Sequence, residues 1–223
     1  LNRKSRFLPK VIIPEDIEIT TKTDSFNDAD IAVLAVPSFA VRETARLLKN
    51  KKTGIIVNVA KGIEEQTLMT MTEVIADEIK DVSVAVLSGP SHAEEVGRLL
   101  PTTCVIGADS VELAEYLQNI FASDFFRVYI NPDIKGIELG GSLKNVIALA
   151  AGIADGMGYG DNTKAALITR GISEMSRLAI KMGAKPETLS GLTGIGDLIV
   201  TCESKHSRNR RAGMLIGQGY TMQ

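Results

Sequence analysis

The sequence predicts an α/β fold, in which a parallel sheet is followed by a mostly α-helical domain. Runs of consecutive apolar residues, rich in Val and Ile, recur early in the chain and are typical of strands buried on both faces. They lie at 31–36, 55–60, 82–87 and 103–106. Stretches with helical spacing separate these runs, and after Asn131-Pro132 helical stretches dominate. We therefore expect an α/β domain at 1–131 and a mostly helical domain at 132–223.

The remaining elements follow from local patterns. Residues 17–20 alternate between apolar and polar, which predicts an edge strand. Helices are predicted in both halves, at 41–49, 67–79, 111–121, 134–154 and 164–182. Pro132 is typical of a helix start and Gly183 of the position just after a helix end, so both support the predicted helix bounds. Alternation of strands and helices implies a parallel sheet with right-handed crossovers.

The composition excludes several classes of protein. A formal net charge of −2 provides no basic field for nucleic acid or an anionic membrane. Cys104 and Cys202 are far apart, without a CxxC pair or suitably spaced histidines, so neither a disulfide framework nor a metal site is predicted. A reducing cytoplasm fits this cysteine usage. We also expect no membrane insertion, because no apolar run approaches the roughly 20 residues that a membrane helix needs.

Glycine-rich phosphate loops are not found where they would be expected. No G-x-G-x-x-G follows a predicted strand, and there is no G-x-x-x-x-G-K-[ST] motif. Gly156-Met157-Gly158-Tyr159-Gly160 is the nearest likeness, but it follows a helix. We interpret it as a loop between helices.

Two candidate clusters follow predicted strands. Lys61 and Gly62 come directly after one of them, and α/β sheets bind ligands at the carboxyl ends of their strands. Lys61 in a solvated turn is an equally good interpretation. Residues 87–95, LSGPSHAEE, close the next strand, and Ser91 is placed to cap the helix that follows. His92 in this segment is given no catalytic role.

Two further clusters lie in the helical half. Lys144 and Asn145 interrupt an apolar helix, and a desolvated lysine there would have a lowered pKa and exchange a proton near neutral pH. A lysine that extends its ammonium group to the surface is the alternative. Asp197 follows a glycine-rich segment, and if buried it needs a cation such as Lys144. Residues 207–211, SRNRR, offer hydroxyl, guanidinium and amide donors for a phosphate, or form a solvated or nucleic-acid-binding face.

Taken together and in order, these motifs resemble the bacterial NAD(P)-dependent branch of the glycerol-3-phosphate dehydrogenase family. The segments that carry the resemblance are AVPS at 35–38, VNVAKGIE at 57–64, LSGPSHAEE at 87–95, the long run at 140–167, GLTGIGDLIVTC at 191–202 and SRNRR at 207–211. The resemblance implies a Rossmann-like dinucleotide-binding domain without its first βα unit, then a helical substrate domain. It also implies that the family's glycine-rich loop would precede Leu1 and that further helices would follow Gln223.

The resemblance also implies roles for individual residues. Lys144 would donate and accept the proton, and Asp197 would position Lys144 and the substrate hydroxyls. The other implied substrate contacts are Lys61, Gly89, Ser91, Ser207, Arg208 and Asn209, and the implied cofactor contacts are Lys61, Ala93 and Arg208. The cofactor would be NAD or NADP, and the substrate pair dihydroxyacetone phosphate and sn-glycerol 3-phosphate, for glycerophospholipid synthesis. A homodimer in the cytoplasm is expected.

Two alternatives stay open at this point. A hydroxy-acid dehydrogenase with the same two-domain plan also places a lysine and an asparagine on the first helix of its helical domain. The SRNRR cluster argues for a phosphate monoester over a carboxylate. The second alternative is a truncated chain that binds ligands without turnover, which the missing glycine-rich loop favours.

Overall fold

The computed structural model describes residues 3–5, 7–8 and 10–221. Five strands form one sheet: β1 (Ile31–Leu34), β2 (Ile55–Asn58), β3 (Ser83–Ser88), β4 (Thr102–Gly107) and β5 (Phe126–Ile130). Four helices accompany the strands: α1 (Val41–Leu48), α2 (Met71–Glu78), α3 (Ala93–Val96) and α4 (Val111–Phe121). Five more follow: α5 (Ile134–Gly156), α6 (Asp161–Lys181), α7 (Pro186–Leu189), α8 (Asp197–Glu203) and α9 (Arg208–Gly217). The predicted α/β class is confirmed.

The sheet is mixed: the prediction of a parallel sheet holds for three of its four strand pairs and is wrong for β3 and β4. Strands are ordered β1-β2-β3-β4-β5, and β1, β2 and β3 are mutually parallel. Strand β4 runs antiparallel to β3, and β5 is parallel to β4. A parallel return needs a crossover that runs back along the sheet, whereas segment 89–101 contains only the one-turn helix α3. The chain therefore reverses, and segment 89–101 lies across the carboxyl end of β3.

Two predictions about strands are wrong for physical reasons. Residues 17–20 are irregular and none is buried; the carbonyl of Ile17 accepts a hydrogen bond from the Arg3 guanidinium at 3.0 Å. Strand β5 was not predicted, because Arg127 and Tyr129 interrupt its apolar pattern on the exposed face while Val128 is buried.

The helices of the first half cover both faces of the sheet. Helices α1 and α2 pack with β1 and β2 in one apolar cluster, and α4 packs on the other face with β4 and β5. Helix α2 starts at Met71, later than predicted, because Thr70 and Glu73 form a reciprocal capping box. The backbone N–H of Thr70 donates to Glu73 Oε2 at 2.9 Å.

Helix α5 is the central helix of the second half. Asp133 caps it, accepting from the backbone N–H of Gly136 at 3.0 Å, and the predicted loop at 156–160 connects it to α6. Helix α9 packs so closely on α5 that a Cβ on Gly152 would lie only 2.0 Å from the Arg210 carbonyl oxygen. This contact fixes the start of α9 beside the C-terminal part of α5. The division into domains at residue 131 stays a prediction.

Helix α5 also bears on the expectation about membranes. Among the described residues it is long and apolar enough to cross a membrane by length and composition alone, so the expectation of no membrane insertion stays a prediction. Within its most apolar window, 56% of the residues are buried inside the protein, packed against neighbouring helices. A core helix of a folded domain has the same properties.

Candidate functional site

The turn after β2 aims Lys61 toward the end of β3. Asn58, the last residue of β2, accepts from the Ala60 N–H at 3.0 Å and donates to the Ala60 carbonyl oxygen at 3.0 Å. The next residue, Lys61, donates through Nζ to the carbonyl oxygen of Gly89 at 3.0 Å. The lysine stem runs beside Gly141, where an added Cβ would lie 3.5 Å from Lys61 Cδ. Lys61 is thus a fixed residue at the sheet's edge and not a solvated turn residue.

Glycine is required at position 89. Its φ is +153°, and a Cβ would lie 3.0 Å from the Cα of Cys104 on β4. The backbone can therefore turn sharply after β3 and present the Gly89 carbonyl oxygen to Lys61.

Asp197 lies between two ammonium groups. Its Oδ1 accepts from Lys144 Nζ at 2.5 Å and its Oδ2 from Lys61 Nζ at 2.6 Å. The side chains of Lys144 and Asp197 are 7% and 2% exposed, whereas that of Lys61 is 25% exposed. The predicted pairing of Lys144 with Asp197 is therefore present, and Lys144 does not extend to the surface.

Thr201 completes the surroundings of the Lys144 ammonium group. Lys144 Nζ donates to Thr201 Oγ1 at 2.7 Å, and that hydroxyl donates to the Asp197 carbonyl oxygen at 2.6 Å. Asp197 and Thr201 are four residues apart in α8, so both side chains lie on one face of the helix. This spacing is the signal in the sequence that could have identified Thr201, which was not predicted.

The electrostatic surroundings favour proton exchange at Lys144. Burial, and next the positive charge of Lys61, lower the pKa of Lys144 to about 8 from 10.5, while Asp197 acts in the opposite direction. A lysine with this pKa has an appreciable neutral fraction near physiological pH and can both give up and accept a proton. Burial and the nearby Lys144 charge also lower the pKa of His92.

A cleft of about 630 Å³ opens beside these groups. Both lysines line it, together with Asn145, and the start of α9 contributes Arg208 and Asn209 on the same cavity. Loop 35–39 lines it too, and the Phe39 side chain in that loop is 87% exposed. The cleft therefore combines cations, amides, the first turn of a helix and one uncovered aromatic ring.

The start of α9 is suited to an anion. Ser207 is its buried N-cap, with Oγ accepting from the Arg210 N–H at 3.2 Å. Helix N-termini attract anions through free N–H groups and the helix dipole. Arg210 also donates through Nε to Asp155 Oδ2 at 2.9 Å, and Asp155 accepts from Lys164 Nζ at 2.9 Å. These ion pairs hold the first turn of α9 in place.

The remaining candidates lie at the rim or away from the cleft. The Ser91 hydroxyl donates to the Gly89 carbonyl oxygen at 3.2 Å and does not cap α3, whose cap position is His92; the predicted capping role is wrong. Ala93 is exposed at the first residue of α3. The structure thus brings together Lys61, Gly89, Lys144 and Asp197 by direct contact, and adds Arg208 and Asn209 across the cleft.

Comparison with known proteins gives consistent results. The family model described as NAD-dependent glycerol-3-phosphate dehydrogenase N-terminus matches residues 1–114, and the one described as its C-terminus matches 133–223. Glycerol-3-phosphate dehydrogenase [NAD(P)+] of Agathobacter rectalis is 66% identical over 218 residues, covering 96% of this chain and 65% of the relative. The Fusobacterium nucleatum enzyme of the same name is 60% identical over 228 residues, covering 100% of this chain and 68% of that protein.

A solved structure agrees with these relatives. The crystal structure of glycerol-3-phosphate dehydrogenase (gpsA) from Coxiella burnetii superposes with a TM-score of 0.91 at 41% identity, covering 96% of this chain and 67% of that one. This chain therefore spans about two thirds of the length of the relatives it matches.

Proposed function

The chain belongs to the NAD-dependent glycerol-3-phosphate dehydrogenase family, and we propose that the protein catalyses the reversible NAD(P)-dependent reduction of dihydroxyacetone phosphate to sn-glycerol 3-phosphate. The observation that carries this proposal is the buried Lys144–Asp197 pair facing a cleft whose far side is the start of α9. A ketone reductase that acts on a phosphate monoester needs a proton donor and an anion site on one cavity. The cleft provides both.

Lys144 acts as the proton donor in the direction of reduction. A nicotinamide cofactor, when bound, would supply the hydride that reduces the carbonyl carbon. Lys144 gives a proton to the carbonyl oxygen as negative charge develops there, and its pKa of about 8 makes the transfer favourable near neutral pH. In the reverse direction the neutral amine takes the hydroxyl proton.

Asp197 and Lys61 hold this group in place. Asp197 fixes the Lys144 ammonium from one side at 2.5 Å, and Thr201 fixes it from another at 2.7 Å, so its proton has a defined direction. Lys61 contacts Asp197 and lies near Lys144, and its positive charge favours an anionic oxygen in the cleft. Lys144 and Asp197 are the catalytic residues in this proposal, and Lys61 contacts both substrate and cofactor.

The phosphate end of the substrate binds at the start of α9. Arg208 offers a guanidinium group and Asn209 an amide on the cleft, and Ser207, the buried N-cap of the same helix, is the third contact in this proposal. Gly89 and Ser91 contact the substrate from the other side, at the rim beside Lys61.

The residues on the cleft also fit the nicotinamide end of a dinucleotide. Arg208 and Lys61 are cations placed for a phosphate, and Phe39 leaves an aromatic ring uncovered at the cavity. Ala93, exposed at the start of α3, is placed in the same proposal against the cofactor. The group is either NAD or NADP.

The setting of the enzyme is part of the same proposal. A cytoplasmic location is supported by Cys104 and Cys202, both buried and both free thiols. In that setting the product would supply glycerophospholipid synthesis. A homodimer remains a prediction.

The test is turnover by the purified full-length protein. Oxidation of NADH or NADPH is followed at fixed protein concentration with dihydroxyacetone phosphate, with dihydroxyacetone and with a short 2-keto acid. We expect turnover with the phosphate ester and a far higher KM for dihydroxyacetone. Preference for the keto acid would favour a hydroxy-acid dehydrogenase, and binding without turnover of any of the three would contradict an enzymatic role.

A further inference from the structure

Glu138 is a buried carboxylate on α5 that the proposed mechanism does not use. The residue is 5% exposed, and within the described part of the chain it forms no ion pair with a lysine, arginine or histidine. Burial of an acid without a cation is costly unless hydrogen-bond donors replace water. The donors that surround Glu138 therefore indicate what it does.

Three donors reach this carboxyl group, all from the α/β half of the chain. The backbone N–H of Thr72 donates to Oε1 at 2.9 Å and the Thr72 hydroxyl to Oε2 at 2.5 Å, both at the start of α2. Asn58 Nδ2 donates to Oε1 at 3.4 Å. Burial raises the pKa of Glu138, and the Thr70 hydroxyl together with the two Thr72 donors acts against that rise.

Asn58 connects Glu138 to the site. Asn58 is fully buried at the end of β2, and its amide holds the Ala60 backbone through two hydrogen bonds at 3.0 Å. Its remaining amide proton points to Glu138. The side-chain amide of Asn58 can be placed in two orientations, which exchange its oxygen and its nitrogen. The Glu138 carboxylate accepts from Nδ2 and therefore selects the orientation in which Asn58 also makes both hydrogen bonds to Ala60. The residue after Ala60 is Lys61.

We propose that Glu138 is a positioning residue: by orienting Asn58 it fixes the turn that aims the Lys61 ammonium group at Asp197. The distance between Lys61 and Asp197 in turn controls how strongly Lys61 repels a proton on Lys144. The catalytic meaning of this inference rests on the proposed function, but the geometry can be tested without turnover.

The competing explanation is purely structural. Glu138 would then only cap α2 and join α5 to the α/β half of the chain. A second contact of this kind exists nearby: Lys135, also on α5, donates to Glu73 of α2 at 2.8 Å and has no contact with Asn58. Removal of the Lys135–Glu73 pair therefore weakens the contact between α5 and α2 and leaves the hydrogen bonds from Glu138 through Asn58 to the turn of Lys61 intact.

The pKa of Lys144 distinguishes the two explanations. It is measured from the Cε signal of Lys144 in the full-length protein labelled with 13C-lysine, and a Lys144→Arg variant assigns the signal. The charged and titratable groups facing Lys144 are Lys61, Asp197, His92 and the Cys202 thiol. When Lys61 is no longer held against Asp197, its repulsion of the Lys144 proton weakens, so we expect the pKa to rise.

In Glu138→Ala we expect the pKa of Lys144 to rise by about one unit, the lower end of the shift that a neighbouring charge produces. Asn58→Ala, which removes the next link, should give the same rise and decides the question if Glu138→Ala does not fold. Glu138→Gln keeps an acceptor for Asn58 and the Thr72 N–H, and should keep the wild-type pKa. Lys135→Met, the matched control, should also keep it.

Three results would overturn the proposal. These are an unchanged Lys144 pKa in folded Glu138→Ala or Asn58→Ala, an equal rise in Lys135→Met, or a Glu138→Gln variant that behaves like Glu138→Ala. Absence of dehydrogenase turnover in the wild-type protein would count against the proposed function alone, because the titration does not depend on catalysis.

Discussion

Asp197→Asn replaces a buried carboxylate, shared by two ammonium groups, with a neutral amide of the same shape. Removal of one partner from a buried ion pair costs about 3–5 kcal/mol, because the other charge is left without compensation. Lys144 is 7% exposed and cannot leave, whereas Lys61 is 25% exposed and can move toward solvent in the cleft. We therefore expect a loss near the lower limit, about 3 kcal/mol in the free energy of unfolding at pH 6.

The loss should depend on pH in a defined direction. The folded-state pKa of Lys144, about 8, lies below its ordinary value of 10.5, so between these values the unfolded chain binds more protons and stability rises with pH. Asp197 raises the pKa of Lys144, so the pKa of Lys144 should be lower in Asp197→Asn than in wild type. The stability of the variant then begins to increase at a lower pH than that of wild type. The difference from wild type should shrink between pH 6 and pH 9, by about 1.4 kcal/mol for each unit of that further fall.

Urea unfolding followed by circular dichroism at pH 6 and pH 9 measures both effects. Asp155→Asn is the matched control, since Asp155 also joins two cations, Lys164 at 2.9 Å and Arg210 at 2.6 Å. The carboxylate of Asp155 raises the pKa of Lys164. The stability deficit of Asp155→Asn should therefore not become smaller between pH 6 and pH 9. The reasoning is refuted if Asp197→Asn is as stable as wild type at pH 6, or if its deficit is the same at both pH values.

Two further predictions concern the cleft. At saturating cofactor, Arg208→Ala should raise the KM for dihydroxyacetone phosphate about tenfold, the loss of one charge-assisted hydrogen bond, and the KM for dihydroxyacetone far less; equal effects on both substrates in steady-state assays would remove the phosphate assignment. Lys61→Met should raise the pKa of Lys144 by about one unit, because a like charge is lost. The pH dependence of kcat would then move to higher pH, and an unchanged profile would contradict the electrostatic role of Lys61.

The sequence predicted the parts of the fold that local composition determines. Strands β1 to β4 are apolar on consecutive positions because helices cover much of both faces of the sheet, and that burial is visible in composition alone; Val33 on β1 is apolar although it is 47% exposed. The direction of β4 depends on how far segment 89–101 travels, which is a property of the folded chain. Strand β5 escaped notice because one face is open to solvent and carries Arg127 and Tyr129.

The candidate site was predictable to a similar degree. Lys144 stood out as a charge within an apolar helix, and the order of the motifs indicated that it acts with Lys61 and Asp197. The contact between Lys61 and Asp197 joins positions 136 residues apart, so only the folded chain, in which the start of α8 meets the turn after β2, reveals it. Glu138 had no signal at all, because a glutamate is ordinary in a helix and its burial depends on where α2 begins.

The most direct measurement of the central claim is kcat for reduction of dihydroxyacetone phosphate by the full-length protein and its Lys144→Met variant. Methionine fills the lysine's volume in its buried position, so circular dichroism and the urea midpoint should show a folded protein. The account predicts that kcat falls by about 10²–10⁴, the usual contribution of a general acid. A folded variant with near-wild-type kcat would contradict the assignment of Lys144 as the residue that transfers the proton.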